Sequence, residues 1–222
     1  MIFTTHLTGC ILIVYDCLFV TCNKSKTIKL LLCRRLFYYL CITNKQPFTL
    51  IPMDFTTLIQ NRYSCRAFSP QPVEQEKIDR ILEAGRIAPT AVNKQPVHVW
   101  AVSDSGMLEA IKGVTRSNYG APLLLVVGCR PADAWVRRYD GKNGAEVDAS
   151  IVATYLMLAA ENEGLATLWV GSFDPALLAG ILPGTEGYEL VAMINVGYPA
   201  EGSAPSEKHW SRVEMGEFVT KQ

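Results

Sequence analysis

The sequence predicts an α+β fold, a mixed central sheet flanked by helices, and three observations carry that prediction. Ile78, Ile81, Leu82, Gly85 and Ala88 recur at helical spacing. Leu123-Leu124-Leu125-Val126-Val127 is a continuous apolar run, the pattern of a strand buried on both faces. Glu146 to Glu163 is a long helical pattern, apolar almost all round. Helices and strands interleave, but the strands are few and their connections differ in length, which favours α+β over regular βαβ repetition.

Taken in order, Asp54 can cap a short helix through Gln60, because its carboxylate accepts from the free N–H groups of the first turn. A loop with Arg62, Ser64 and Arg66 follows, and Pro70 and Pro72 mark a break. The apolar stripe predicts a helix over Val73 to Ala88, with Glu74 and Glu76 complementing its dipole and Pro89 ending it. Val97 to Val102 reads as a strand, Ser103 to Gly113 as a short helix, and Leu123 to Val127 as a buried strand. Asp133 to Gly144 is polar and aromatic, a loop or short irregular helix. In the long helix Ile151, Tyr155, Leu158, Ala159 and Asn162 lie near one face, and burial is expected, at a subunit interface among other places. Gly164 closes the helix as a C-cap. Leu168 to Val170 and Glu189 to Val196 are strands, separated by a helix over Pro175 to Ile181.

The first 52 residues differ from the rest. They hold six Lys/Arg and one acid, Asp16, which leaves the remainder with fifteen basic and twenty acidic residues. A mildly acidic body gives no electrostatic reason to expect nucleic-acid binding. The apolar run Leu7 to Val20 spans 14 residues around Asp16, whereas a membrane helix needs about 20 mostly apolar residues. It also lacks the basic start and small-residue cleavage site of a secretory signal. Residues 1–52 are therefore expected to be an N-terminal extension, arising from a misassigned start or else a real or disordered extension, and 53–222 the working domain. Outside the first 52 residues only Cys65 and Cys129 occur, neither a disulfide framework nor a zinc site, which suits a cytoplasmic protein without metal.

The run Asn61-Arg62-Tyr63-Ser64-Cys65-Arg66-Ala67-Phe68 sets two guanidinium groups about a hydroxyl, the donors suited to gripping a phosphate. It is followed by Ala88-Pro89-Thr90-Ala91-Val92-Asn93-Lys94-Gln95-Pro96, by Gly164 to Asp174, and by Gly197-Tyr198-Pro199-Ala200-Glu201. In that order, these four pieces resemble the nitroreductase family of FMN-dependent oxidoreductases, over Met53 to the C-terminus.

The resemblance implies a nitroreductase-like fold, an intertwined homodimer, and FMN at the subunit interface. Arg62, Tyr63 and Ser64 would hold the ribityl-phosphate end, and Arg66 would meet the pyrimidine side of the ring and tune its potential. Asn93, with Gln95 in the same loop, would contact the ring from a neighbouring loop. Gly171 and Ser172 belong to a segment whose backbone N–H groups face the flavin. A basic residue near the C-terminus closes the phosphate site in such proteins; aligning Met215-Gly216-Glu217-Phe218-Val219 with the usual ending favours Arg212, with Lys208 the alternative, because His209 and Trp210 interrupt the usual run. No side chain is expected to be catalytic, and Cys65 reads as a packing residue. The implied activity passes a hydride from NAD(P)H through the flavin to a nitroaromatic, quinone or similar electron-poor acceptor. Alternatives on the same fold are reductive dehalogenation, ring dehydrogenation, enone reduction, or flavin binding without turnover. The absence of a G-x-G-x-x-G after a strand fits a nicotinamide that docks without a dedicated domain. Trp135, Arg137, Arg138 and Tyr139 are candidates for a lid over the site.

Overall fold

The computed structural model describes residues 54–222; the expected N-terminal extension and its boundary at Met53 lie outside the described residues. Helix α1 (Phe55–Asn61) begins where expected, with the Asp54 carboxylate accepting the Thr57 N–H at 3.2 Å. Helix α2 (Gln75–Arg86) buries Ile78, Ile81 and Gly85. Strand β1 (Val97–Val102) and helix α3 (Ser105–Ile111) follow. All seven residues of strand β2 (Leu123–Cys129) are buried, as its unbroken apolar run requires. Helix α4 (Ala145–Asn162) is the longest element and ends at Gly164, whose φ of 75° is open to glycine without a Cβ clash. Strand β3 (Ala166–Val170), helix α5 (Pro175–Ile181), strand β4 (Glu189–Gly197) and the short helix α6 (Met215–Phe218) complete the domain.

The four strands form one sheet in the order β1-β2-β4-β3. Every ladder is antiparallel, which corrects the expectation of a mixed sheet. Parallel pairing among the described residues is confined to an isolated bridge between Ser64 and Thr167. The connections carry helices whichever way the next strand runs, so element order alone left strand direction open.

Each face of the sheet carries a core. On one face α2 and α4 cover Leu123, Leu125, Val127, Ile194 and Val196. On the other, α3 and α5 cover Leu124, Val126, Met193, Leu168 and Val170. The alternation along β2 follows the two-residue strand period. Helix α4 sends Ala149, Val152, Ala153, Leu156 and Ala160 inward. The small residues let it sit close to the sheet, and a Cβ added at Gly85 would lie 2.6 Å from Leu156 Cδ2. The stripe of Ile151, Tyr155, Leu158, Ala159 and Asn162 is the partly exposed side of α4 within one chain. An apolar helix offers no polar face to mark its outside, so its rotation is set by which small residues fit the sheet.

Candidate functional site

The Arg62–Arg66 loop is fixed to the outer edge of β3. Cys65 N–H donates to Thr167 O at 3.0 Å, beside the Ser64–Thr167 bridge. The Cys65 side chain is fully buried, its Sγ 3.1 Å from Ala67 O, so it packs as expected. The alternating backbone then leaves Arg62, Tyr63 and Ser64 half-buried and Arg66 exposed. Arg66 donates to Ser64 O at 3.2 Å, which folds its guanidinium back over the loop.

The C-terminal segment returns along this loop. Ser69 N–H donates to Tyr198 O at 2.8 Å and Ala200 N–H to Ala67 O at 2.9 Å. Tyr63 Oη and Ser203 Oγ are 3.0 Å apart, and His209 Nε2 lies 3.3 Å from Gln60 O. Lys208 and Arg212 are thereby carried to the side of the molecule that holds Arg62 and Arg66. Arg212 is spent on the carbonyls of His209 and Ser211, whereas the Lys208 side chain donates no hydrogen bond among the described residues. Of these four cations none is in an ion pair among the described residues, although the body is acidic overall. The charge of Arg62 reaches one partly buried acid, Glu161 at the end of α4. Burial pushes its carboxyl above the ordinary value, and the charge of Arg62 pulls it partly back. Burial likewise raises the Tyr63 phenol, against the bond to Ser203.

From Thr167, β3 runs toward Gly171 and Ser172, four residues or roughly 13 Å along a strand. The nearest heavy atom to a Cβ built on Gly171 is Trp169 Nε1 at 3.9 Å, so open space stands over this turn. The turn is held from behind: Thr115 Oγ1 donates to Ser172 O at 2.8 Å and Asp174 N–H to Val114 O at 3.2 Å. Thr115 is buried and was not singled out in the sequence, where a threonine in a polar stretch carries no mark of its contact.

The second group of expected residues is built differently. Val92, Asn93 and Gln95 all have positive φ, at 46°, 58° and 50°. Left-handed backbone at a β-branched residue such as Val92 is an outlier, and each such residue costs on the order of 1–3 kcal/mol unless its surroundings fix it. Here Thr90 Oγ1 accepts the Gln95 N–H at 3.0 Å, and Asp148 Oδ1 on α4 accepts the Ala91 N–H at 2.9 Å. The side chains of Val92, Asn93 and Gln95 stand exposed, and Gln95 lines a cavity of about 510 Å³ between α2 and β1.

The structure does not bring the two groups together within one chain. The Asn93 loop leads into β1 and the Ser64 loop bridges β3, which are the opposite edges of the sheet. Three strand spacings separate those edges, about 14 Å. The loops also reach opposite ends of α4: Asp148 meets Ala91, and Glu161 feels Arg62. Those two acids are about 20 Å apart along the helix.

The loop between Ala134 and Gly144 is a closed turn with a Val136–Asn143 bridge and an Arg137–Asp140 ion pair. Tyr139 is 81% exposed, with the Arg138 guanidinium 4.9 Å over its ring. No group of acidic, histidine or cysteine side chains among the described residues could hold a metal ion. Nor is any described helix long and apolar enough to cross a membrane.

FMN needs cations and hydroxyls for a phosphate and an uncrowded backbone turn for a flat ring. The unpaired cations around Ser64 and the space over Gly171 fit both demands. Against known proteins, the model of the nitroreductase family matches residues 59–118 and 115–198. A Methanothermobacter thermautotrophicus protein with the name NADH dehydrogenase/NAD(P)H nitroreductase is 32% identical over 165 residues, 67% of this chain and 79% of its own. The FMN reductase [NAD(P)H] of Bacillus subtilis is 30% identical over 159 residues, 64% of each chain. The crystal structure of a nitroreductase family protein from Clostridium difficile superposes with a TM-score of 0.70 at 33% identity, covering 76% of this chain and 98% of that one.

Proposed function

We propose an activity from the premise that the chain belongs to the nitroreductase family. It is an NAD(P)H-dependent oxidoreductase with FMN as its cofactor. The observation that supports the flavin site is a set of cations in no ion pair among the described residues: Arg62 and Arg66 on either side of Ser64 at one sheet edge, and Lys208 and Arg212 on the C-terminal segment that returns past Gln60 and Tyr63. Arg62, Tyr63, Ser64 and a C-terminal cation would hold the phosphate end. Lys208 is the freer of the two C-terminal candidates, since Arg212 is bonded to carbonyls. Bound there, FMN would relay a hydride between NAD(P)H and an electron-poor acceptor such as a nitroaromatic or quinone, the two taking turns in one slot.

The chain's own part is to bind and orient. Arg66 would place a positive charge at the pyrimidine edge, where it stabilises the charge that accumulates on reduction. The backbone at Gly171 and Ser172, braced by Thr115, would face the ring. Asn93 and Gln95 sit at the far sheet edge, so a second copy would bring them to the ring. That makes the working unit a homodimer with two shared sites. The outer side of α4, where Val147 is 52% and Tyr155 40% exposed, is the apolar face available for pairing. The loop holding Trp135 and Tyr139 would act as a lid that sets acceptor choice. A reducing cytoplasm is the compartment this chemistry suits.

The test is an absorbance spectrum of the purified protein before and after anaerobic NADH or NADPH. Flavin bands that bleach are expected; a colourless protein that takes up no added FMN rejects the reading. Pairing is tested by co-expressing an Arg66→Ala chain with an Asn93→Ala chain. Mixed dimers should regain one intact site, and no gain over either variant alone rejects the shared site. Unchanged rates and affinities for every acceptor in Trp135→Ala and Tyr139→Ala would reject the lid.

A further inference from the structure

We infer that Asp148 is the positioning residue of the flavin site: a buried carboxylate on α4 that locks the Ala91–Gln95 loop in the form that presents Asn93 and Gln95. The inference rests on the flavin reading above and adds a residue the sequence did not mark. Asp148 is 2% exposed in a helix otherwise lined by small and aliphatic residues. Its Oδ1 accepts the Ala91 N–H at 2.9 Å, while its Oδ2 is buried with no hydrogen-bond partner among the described residues. A half-satisfied carboxylate is a poor choice for packing, since burying an unpaired acceptor is costly. Its place in the first turn of α4 offsets part of that cost, because the helix N-terminus favours negative charge.

What the carboxylate secures is a loop that does not hold itself. Within the loop, Asn93 N–H reaches Thr90 O and Lys94 N–H reaches Ala91 O, at 3.0 and 3.1 Å. Those bonds close the turn but leave it free to swing as a unit. Among the described residues, Asp148 supplies the hydrogen bond that ties the Ala91–Asn93 turn to the body of the protein. Three left-handed residues in four positions, Val92, Asn93 and Gln95, then follow from a fixed Ala91. Without the clamp the loop can relax toward ordinary backbone angles, and Asn93 and Gln95 lose their shared direction.

The test compares unsubstituted protein with Asp148→Ala and Asp148→Asn as whole chains. Three quantities are read: the thermal midpoint, the Kd of added FMN by quenching of its fluorescence, and the rate of tryptic cleavage after Lys94 relative to that after Arg86. Asp148→Ala should bind FMN about tenfold more weakly and be cut after Lys94 about tenfold faster than unsubstituted protein. Asp148→Asn keeps an oxygen for the Ala91 N–H and should restore both. Unchanged Lys94 cleavage and FMN affinity in Asp148→Ala overturn the proposal, as does Asp148→Asn failing like Asp148→Ala. Should Asp148→Ala not fold, amide exchange in unsubstituted protein decides: Ala91 N–H must exchange at least a hundredfold more slowly than a free amide, and free exchange overturns the clamp. If unsubstituted protein takes up no FMN, the flavin reading fails, and the Lys94 comparison judges the clamp on its own.

Discussion

The loop around Ser64 and the loop around Asn93 serve one proposed site by opposite means. The first collects long, charged side chains with ordinary backbone and leaves them without acids to pair with. The second has exposed side chains of modest polarity on backbone driven into the left-handed region, and fixes it with Thr90 and Asp148. A phosphate is recognised by charge, which tolerates some motion because Coulomb attraction falls slowly with distance. A ring edge is recognised by directed hydrogen bonds, which weaken steeply off axis, so its partners must be rigid. The difference teaches that strain belongs where direction matters and free charge where capture matters.

Leu156→Ala would break the comparison at its root, since α4 underlies both loops. Leu156 is 1% exposed against Gly85 and the sheet, and removing it should cost about 2–5 kcal/mol, read as a lower thermal midpoint. The joint change Arg62→Ala and Arg66→Ala should spare the fold and weaken FMN binding about a hundredfold or more. Hydrogen bonds to charged groups are worth about 1.5–3 kcal/mol each, and a fluorescence titration reads the loss. Thr90→Val removes the acceptor for Gln95 N–H and should weaken FMN binding only about fivefold, the effect of a bond worth about 1 kcal/mol. An equal loss in the last two experiments would erase the distinction between capture and direction.

The smallest effect is expected at Glu161, a partly buried acid within the influence of Arg62. Its folded-state carboxyl is raised by burial, so the native chain holds this proton to higher pH than the unfolded chain. The contribution to stability therefore falls as pH rises from the unfolded value of about 4.5 through the raised folded value, and stays unfavourable above it. Glu161→Gln should flatten that part of the stability–pH curve and raise stability slightly near neutral pH, measured by denaturant melts across pH. A curve that does not change would show that Arg62 fully offsets the burial of Glu161. Cys129, buried in β2, offers a control that belongs to neither loop. Burial pushes its thiol from 9.0 up to about 11, so it should resist alkylation at pH 8 in the folded protein and react once unfolded.

Much of the candidate site was legible because charge and glycine leave marks in one dimension. Arg62, Ser64 and Arg66 stand together in sequence, and Gly171 follows an apolar strand. The cation loop could be read, and its place beside β3 could not, since that depends on a pairing of Ser64 with a residue a hundred positions away. Asn93 was legible as a loop residue, yet three left-handed residues around it were not, because no local sequence rule puts Val92 at positive φ. Thr115 and Asp148 act through buried hydrogen bonds to residues far along the chain, Ser172 and Ala91, which leave no pattern to detect.

By itself the sequence determined the elements from α1 to β4 and their order, but not α6, since helical and strand periods, caps and prolines act over a few residues. It also determined that β2 is buried on both faces, because nothing in Leu123–Val127 can face water. Only the tertiary structure decided that every strand pair is antiparallel, that α4 turns Ala149, Ala153 and Ala160 inward, and that the two loops lie at opposite sheet edges. Those outcomes rest on contacts between segments far apart in the chain, where shape and volume choose among arrangements that are equally apolar.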